Sequence, residues 1–254
     1  MGEAPAPTTI GAELGYWCFE TTTPLTHGTY DAARSSVDVA LTAGSMVLGG
    51  DRVAYGLCRP PGHHATRSVY GGYCFFNNAA VTAAHLSAVT GSKVAVLDVD
   101  YHHGNGTQQI FYEREDVPFV SLHGDPKRAY PYVAGHVDET GVGAGAGATL
   151  NLPLPAGTED DRYLAVLGDA LEWVTSSGAA MVVVSLGLDT YHLDPISDLG
   201  LTADGLERCG ELVASAGLPL VILQEGGYAT DDLGENTRRW LSGALSGVGG
   251  APGS

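Results

Sequence analysis

Two hydrophobic rhythms alternate along the chain. Residues 31–48, "DAARSSVDVALTAGSMVL", carry apolar side chains at helical spacing, and "RVAYGLC" at 52–58 is a short run suited to a strand. "NAAVTAAHLSAVTG" at 78–91 predicts a helix closed by glycine, with the strand "KVAVLDV" after it. The alternation continues with a strand at 117–124, a helix at 161–178, a wholly apolar strand at 179–189, a helix at 202–217, a strand at 218–227 and a helix at 231–248. Near-continuous apolar strands between amphipathic helices need cover on both faces. The pattern therefore predicts a single α/β domain with a doubly wound, mostly parallel sheet and helices on both sides. That domain is expected to take in residues 1–254, with a flexible tail over 244–254 where glycine and proline collect.

In such sheets ligands sit beyond the carboxyl ends of the strands. The segments that carry unusual chemistry fall there: "CRPPGHH", "DVDYHHGNG", "SLHGD", "GLDTYHLDP" and "QEGGY" each follow a predicted strand. One rim of the sheet thus collects the candidate site.

Composition narrows the partners. The 254 residues include 12 Lys+Arg against 29 Asp+Glu, a formal net charge of −17, which repels a phosphate backbone and draws small cations. No nucleic-acid partner is expected. Cys18, Cys58, Cys74 and Cys209 show no C-x-x-C spacing and read as buried reduced thiols. The N-terminal sequence lacks the basic start and apolar run of a signal peptide, and no uncharged stretch is long enough to cross a bilayer, so a cytoplasmic protein without a membrane partner is expected. The run "GVGAGAG" at 141–147 has no G-x-x-x-x-G-K-[ST] and reads as a turn-rich loop, not a nucleotide site.

In an extended segment residues i, i+2 and i+4 share a face, so Asp98, Asp100 and His102 can converge on one pocket. Burying them together is costly without a positive charge among them. A divalent metal held by Asp100 and His102 answers that, with Asp189 as third ligand because it also ends an apolar strand on the same rim. Such a set leaves a position for water, as catalytic zinc requires, and its oxygen donors also suit Fe(II). His63 and His64, presented by the Pro60-Pro61-Gly62 turn, could move the protons, with Asp98 and Asn105 orienting their rings. Tyr228 in "EGGY" could donate its hydroxyl to an oxyanion.

With these residues in hand, "RPPGHHA", "GGYCFFNNAAV", "LDVDYHHGNGTQQIFY", "SLHGD", "SLGLDTYHLDP" and "QEGGY" resemble, in order and spacing, the histone deacetylase superfamily, and most of all its bacterial acetylpolyamine amidohydrolase branch. The resemblance covers residues 15 to 243. It implies a deacetylase acting on N-acetylated amines, acetylpolyamines before the acetyl-lysine of proteins, with zinc on Asp100, His102 and Asp189. It implies His63 and His64 as general base and acid, supported by Asp98 and Asn105, and Tyr228 as the hydroxyl that polarises the carbonyl. A structural K⁺ or Na⁺ is implied at Asp98, Asp100, His102, Ser121 and Leu122. Substrate contacts are implied at Gly72, Tyr73 and Tyr130, and a supporting carboxylate at Asp194. The family begins with a further N-terminal segment not recognised in this chain, and its polyamine branch forms homodimers. Two rivals follow: a metal- or partner-binding module that keeps the site without turnover, and an arginase-like ureohydrolase, which would want two metals.

Overall fold

Six strands form one sheet: β1 (Val53–Gly56), β2 (Val94–Asp98), β3 (Phe119–Gly124), β4 (Thr149–Leu154), β5 (Met181–Leu186) and β6 (Leu220–Gln224). Their order is β1-β6-β5-β2-β3-β4 and every pair is parallel. The computed structural model describes residues 7–13 and 15–249. Its helices are α1 (Ile10–Glu13), α2 (Thr29–Leu48), α3 (Asn78–Thr90), α4 (Asn105–Phe111), α5 (Asp160–Ser176), α6 (Ala203–Ser215) and α7 (Leu233–Gly249).

Alternate residues of the central strands explain the two layers. Val94, Val96, Val183 and Val221 face one way and pack with Ala40 of α2 and Ala83 and Leu86 of α3. Ala95, Leu97, Val182, Val184 and Ile222 face the other way and pack with Leu167 of α5, Val213 of α6 and Trp240 of α7. Each fully buried Val or Leu contributes roughly 1.5–3 kcal/mol, so a sheet dry on both faces is the stable arrangement for these strands. The ends of α3 are written locally: the Asn77 side chain accepts from the Ala80 N–H, and Gly91 closes the helix at φ 68°.

Three elements go beyond the periodic pattern. β4, "TLNLPL", is an edge strand that pairs only with β3 and tolerates Pro153 there. α4 begins at Asn105-Gly106, and its Gly106 and Thr107 amides donate to the His63 carbonyl, so a tertiary contact nucleates a weak helix former. α1 is a single turn. The glycine run holds a 3₁₀ turn at Gly143–Gly145 and leads into β4, as a turn-rich connection should.

Of the flexible tail expected over 244–254, residues 244–249 are helical instead. α7 continues to Gly249, with Ala244 fully buried and Val248 packed on the same core, because the small residues let α7 lie directly on α6. A Cβ on Gly243 would stand 1.9 Å from the Glu207 carbonyl oxygen, an approach open only to glycine. Packing overrides helix propensity in this stretch. Residues 250–254 lie outside the described residues. Among the described residues no helix is long and apolar enough to cross a membrane, and all four cysteines are free, three buried and Cys18 half-buried.

Candidate active site

The register brings the strand ends level. Asp98 closes β2 opposite Ser121 of β3 and Ser185 of β5, and Ser185 stands opposite Leu223 of β6. A few residues on, each chain segment delivers polar side chains to the same rim.

Asp100, His102 and Asp189 meet there, all buried, with ligand atoms within 4.8 Å of one another. His102 Nδ1 stands 2.9 Å from Asp189 Oδ2 and 3.2 Å from Asp100 Oδ1. Donors bound about 2.0–2.1 Å from a tetrahedral ion stand about 3.3 Å from one another, so these separations suit a metal. Backbone closes in from β6, where a Cβ on Gly226 would lie 2.6 Å from Asp189 Oδ2 and 2.7 Å from Asp100 Oδ2. The charge balance points the same way. Burial and the Asp100 charge push Asp189 up to about 7. Burial opposes ionisation of Asp100, yet His63 and His102 hold it well below the usual carboxylate range. Burial likewise opposes charge on His102, and its bonds to both carboxylates outweigh that, raising it to about 10. Two buried carboxylates around one imidazole have the excess negative charge that a divalent cation relieves.

The tandem histidines lie alongside, ring centroids 4.0 Å apart. His63 Nδ1 is 3.0 Å from Asp98 Oδ2, and its Nε2 is 3.8 Å from Asp100 Oδ1. Burial would lower His63, but Asp98 and Asp100 hold it well above its ordinary value. His64 Nδ1 is 2.7 Å from Asn105 Oδ1, and burial together with His63 and His102 holds it well below. Two adjacent imidazoles are thus held in opposite directions: the carboxylates beside His63 outweigh its burial, whereas the neutral Asn105 does not outweigh that of His64. The turn that presents them is pinned by Asn78 Nδ2 and Ser36 Oγ on the Pro60 carbonyl, and by Asn77 Nδ2 on the Ala65 carbonyl.

Tyr228 is positioned through its backbone: its N–H and that of Ala229 donate to Asp194 Oδ2, at 2.7 and 3.2 Å. Burial, with the charges of Asp100 and Asp189, pushes its hydroxyl far up, which keeps it a proton donor. The ring lines a cavity of about 260 Å³ with His64, His102, Gly72, Tyr73 and Tyr130. Asp98, Ser121 and Leu122 are fully buried behind the metal group, and Ser121 Oγ is 2.9 Å from His123 Nδ1.

Of the sequence-predicted residues, Asp100, His102 and Asp189 form the metal group, Asp98 and Asn105 flank the histidine pair, and Gly72, Tyr73, Tyr130 and Tyr228 line the cavity, while Asp194 holds the Tyr228 backbone and Ser121 and Leu122 are buried in β3. Sequence reading missed Arg128 and Ile196 on the cavity wall. Arg128 pairs with Asp198, which also accepts from the Tyr101 hydroxyl at 3.1 Å. It also missed Glu225, whose place at the end of an apolar strand on the active rim was the available signal. His63, Cys74 and Glu225 form a second buried group with ligand atoms within 4.8 Å. There His63 Nδ1 is already engaged by Asp98, and Glu225 Oε2 by backbone amides.

Comparison with known proteins agrees with this geometry. The histone deacetylase domain model matches residues 4–244. Acetylpolyamine amidohydrolase 1 of Pseudomonas aeruginosa is 48% identical over 241 residues, 95% of this chain and 70% of that protein. The acetylpolyamine amidohydrolase of Mycoplana ramosa is 46% identical over 237 residues, 93% of this chain and 70% of that protein. The crystal structure of acetylpolyamine aminohydrolase from Burkholderia pseudomallei superposes with a TM-score of 0.87 at 45% identity, covering 89% of this chain and 66% of that one.

Proposed function

The chain belongs to the histone deacetylase domain family, and from that premise we propose that it is a zinc-dependent amidohydrolase that removes the acetyl group from N-acetylated amines, acetylpolyamines foremost. The observation that carries this reading is convergence: His102 of the metal group, His64 of the histidine pair and Tyr228 line one cavity, with Asp100, Asp189 and His63 directly behind them.

Asp100, His102 and Asp189 would hold the metal. Zinc in such a site supplies Lewis acidity, polarising the acetyl carbonyl and making bound water more acidic. His63 is placed to take the proton of the attacking water, and Asp98 holds the ring by Nδ1 and stabilises the imidazolium that forms. A divalent charge held by Asp100, His102 and Asp189 would offset the pull that raises His63 and leave its imidazole able to act as base. Tyr228 keeps its proton and donates a hydrogen bond to the developing oxyanion. As the C–N bond breaks, the histidine pair returns a proton to the departing amine, giving acetate and a free amine. Asp194 holds the Tyr228 backbone while this happens.

The substrate class follows from the walls and the charge. Tyr73 and Tyr130 offer apolar faces to a methylene chain and π surfaces to a cation beyond it. A net charge of −17 favours a polycationic substrate at the mouth. The high identity to proteins named acetylpolyamine amidohydrolases supports the same class and favours turnover over a binding module. A K⁺ or Na⁺ beside Asp98 and Ser121 would serve as structural ion.

The test is acetate release by zinc-loaded protein from N-acetylputrescine, acetylspermidine and an acetyl-lysine peptide. Turnover of the polyamines above the peptide is expected, with Tyr228→Phe losing on the order of 10²–10³-fold in kcat. Preference for the peptide would move the protein to the histone-type branch, and zinc-loaded, folded protein inert toward all three would overturn the reading.

A further inference from the structure

Glu225 takes no part in the chemistry described above, yet it is a carboxylate buried to 6% exposure at the centre of the site. Burying a carboxylate is costly, and an apolar side chain would fill the same space more cheaply unless the acid makes specific bonds. It makes two. Glu225 Oε2 accepts from the Gly62 N–H at 2.6 Å and from the His63 N–H at 3.2 Å. Burial pushes the Glu225 acid up to about 7 against the pull of His63 and the Gly62 amide, and its oxygen accepts these bonds in either protonation state.

These bonds complete a three-sided hold on one residue. The His63 ring is fixed by Asp98, its carbonyl by the Gly106 and Thr107 amides of α4, and its amide by Glu225. The segment that carries Glu225 is itself anchored to the metal group. Its own N–H donates to Leu186 at the end of β5, the next amide, Gly226, donates to Asp100 Oδ2 at 2.8 Å, and the Gly226 carbonyl accepts from Leu188, beside Asp189. Two residues beyond lies Tyr228. The short run from Glu225 to Tyr228 therefore touches the base, a metal ligand and the oxyanion donor.

We propose that Glu225 is a positioning residue of the proposed reaction: its carboxylate clamps the Gly62–His63 backbone to the end of β6, so that the His63 ring, the Asp100 carboxylate and the Tyr228 hydroxyl are set from one rigid segment. The role rests on the deacetylase reading for its catalytic consequence and on geometry for its existence. The remaining oxygen, Oε1, is buried without a partner, which fits a side chain selected for what its other oxygen holds.

The experiment compares Glu225→Ala and Glu225→Gln with the wild type, each loaded with zinc. Three readouts are taken: zinc stoichiometry, kcat and KM for N-acetylputrescine, and amide hydrogen exchange at Gly62 and His63. In Glu225→Ala, exchange at those two amides should speed up, and kcat should fall up to about 10²-fold, the scale of a small misplacement of a reacting group, while KM and zinc content hold. Glu225→Gln keeps an acceptor oxygen and should recover most of kcat and of the protection. Wild-type kcat and protection in Glu225→Ala would overturn the proposal, as would equal damage in both variants. If Glu225→Ala does not fold, unprotected Gly62 and His63 amides in folded Glu225→Gln overturn it alone. A wild type inert toward every acetylated amine would defeat the deacetylase reading, and the exchange arm would still decide whether the clamp exists.

Discussion

The protein buries two pairs of histidines, and their surroundings differ. His63 and His64 lie with ring centroids 4.0 Å apart, His103 and His123 with 4.6 Å, and none of the four is more than 4% exposed. The first pair leans on a carboxylate, Asp98, and on Asn105. The second is held by neutral groups throughout: His103 Nε2 by Gln108 and Asn151, His123 by the Ser121 hydroxyl and the Gly135 carbonyl. Burial disfavours charge at all four rings, and only the carboxylates overcome it, at His63. At His123 nothing does, and it is held down at about 4; His103 lies well below its ordinary value for the same reason. Equal burial thus leaves His63 alone held above its ordinary value and the other three rings below it, and the charge of its partner sets His63 apart; under the proposed function the first pair moves the protons.

The largest effect should separate the pairs outright. His63→Ala is expected to lower kcat by about 10²–10⁴-fold, the usual worth of a general base, and to lower Tm as well, because it leaves Asp98 buried without its partner. His123→Ala should cost only stability, about 1–3 kcal/mol through a cavity and orphaned polar groups, while the folded fraction keeps its kcat within about twofold. Parallel steady-state kinetics and thermal melts measure both. A folded His123→Ala as inactive as His63→Ala would erase the distinction between the pairs.

A smaller, pH-dependent effect comes from the second pair. An unfolded histidine takes up its proton near pH 6.5, whereas native His123 resists until about 4. Between those values the unfolded chain binds more protons, so stability rises with pH and is lost as pH falls through the window, by up to about 3 kcal/mol for this residue. A raised histidine such as His63 carries the opposite sign, its contribution being present below 6.5 and lost as pH rises. Tm measured from pH 7 to pH 4 should therefore fall, and His123→Gln should flatten that fall. An unchanged slope would show that His123 does not carry the acid sensitivity.

This contrast also marks what a sequence can disclose. The layers were readable because runs such as Val94 to Leu97 and Met181 to Leu186 are apolar on both faces, and only a covered parallel sheet accommodates them. The grouping of Asp100, His102 and Asp189 was readable because parallel strands deliver their ends to one rim. β4 was hidden by Asn151 and Pro153 in an edge strand, and α4 by an Asn-Gly start that only its contact with the His63 carbonyl stabilises. The second pair was hidden most fully. His103 is adjacent to a metal-group residue, and nothing in "HHGNG" shows that its partners are amides from residues 108 and 151. Glu225 lay in plain view within "QEGGY", but its worth depends on the amides of Gly62 and His63, 163 and 162 positions away.

The mildest and sharpest test converts one partner without breaking a bond. Asn105→Asp keeps an oxygen 2.7 Å from His64 Nδ1 and adds only charge. His64 now stays neutral well below 6.5, so it lowers stability as pH falls beneath that value. A carboxylate partner raises its folded pKa and shrinks that loss; once the folded value passes 6.5, the added stability is present below 6.5 and fades as pH rises through the new value. Each unit gained is worth about 1.4 kcal/mol, so Tm should change little at pH 8 and rise measurably at pH 6. The rate should follow the same proton. If catalysis uses neutral His64, kcat at pH 7 should drop by less than about tenfold and return at pH 9, because a charged imidazole there can be titrated away. A pH–rate profile and a pH series of melts that both overlay the wild type would show that the charge of the partner does not govern this ring, and the explanation offered for the two pairs would have to be sought in the shape of their cavities instead.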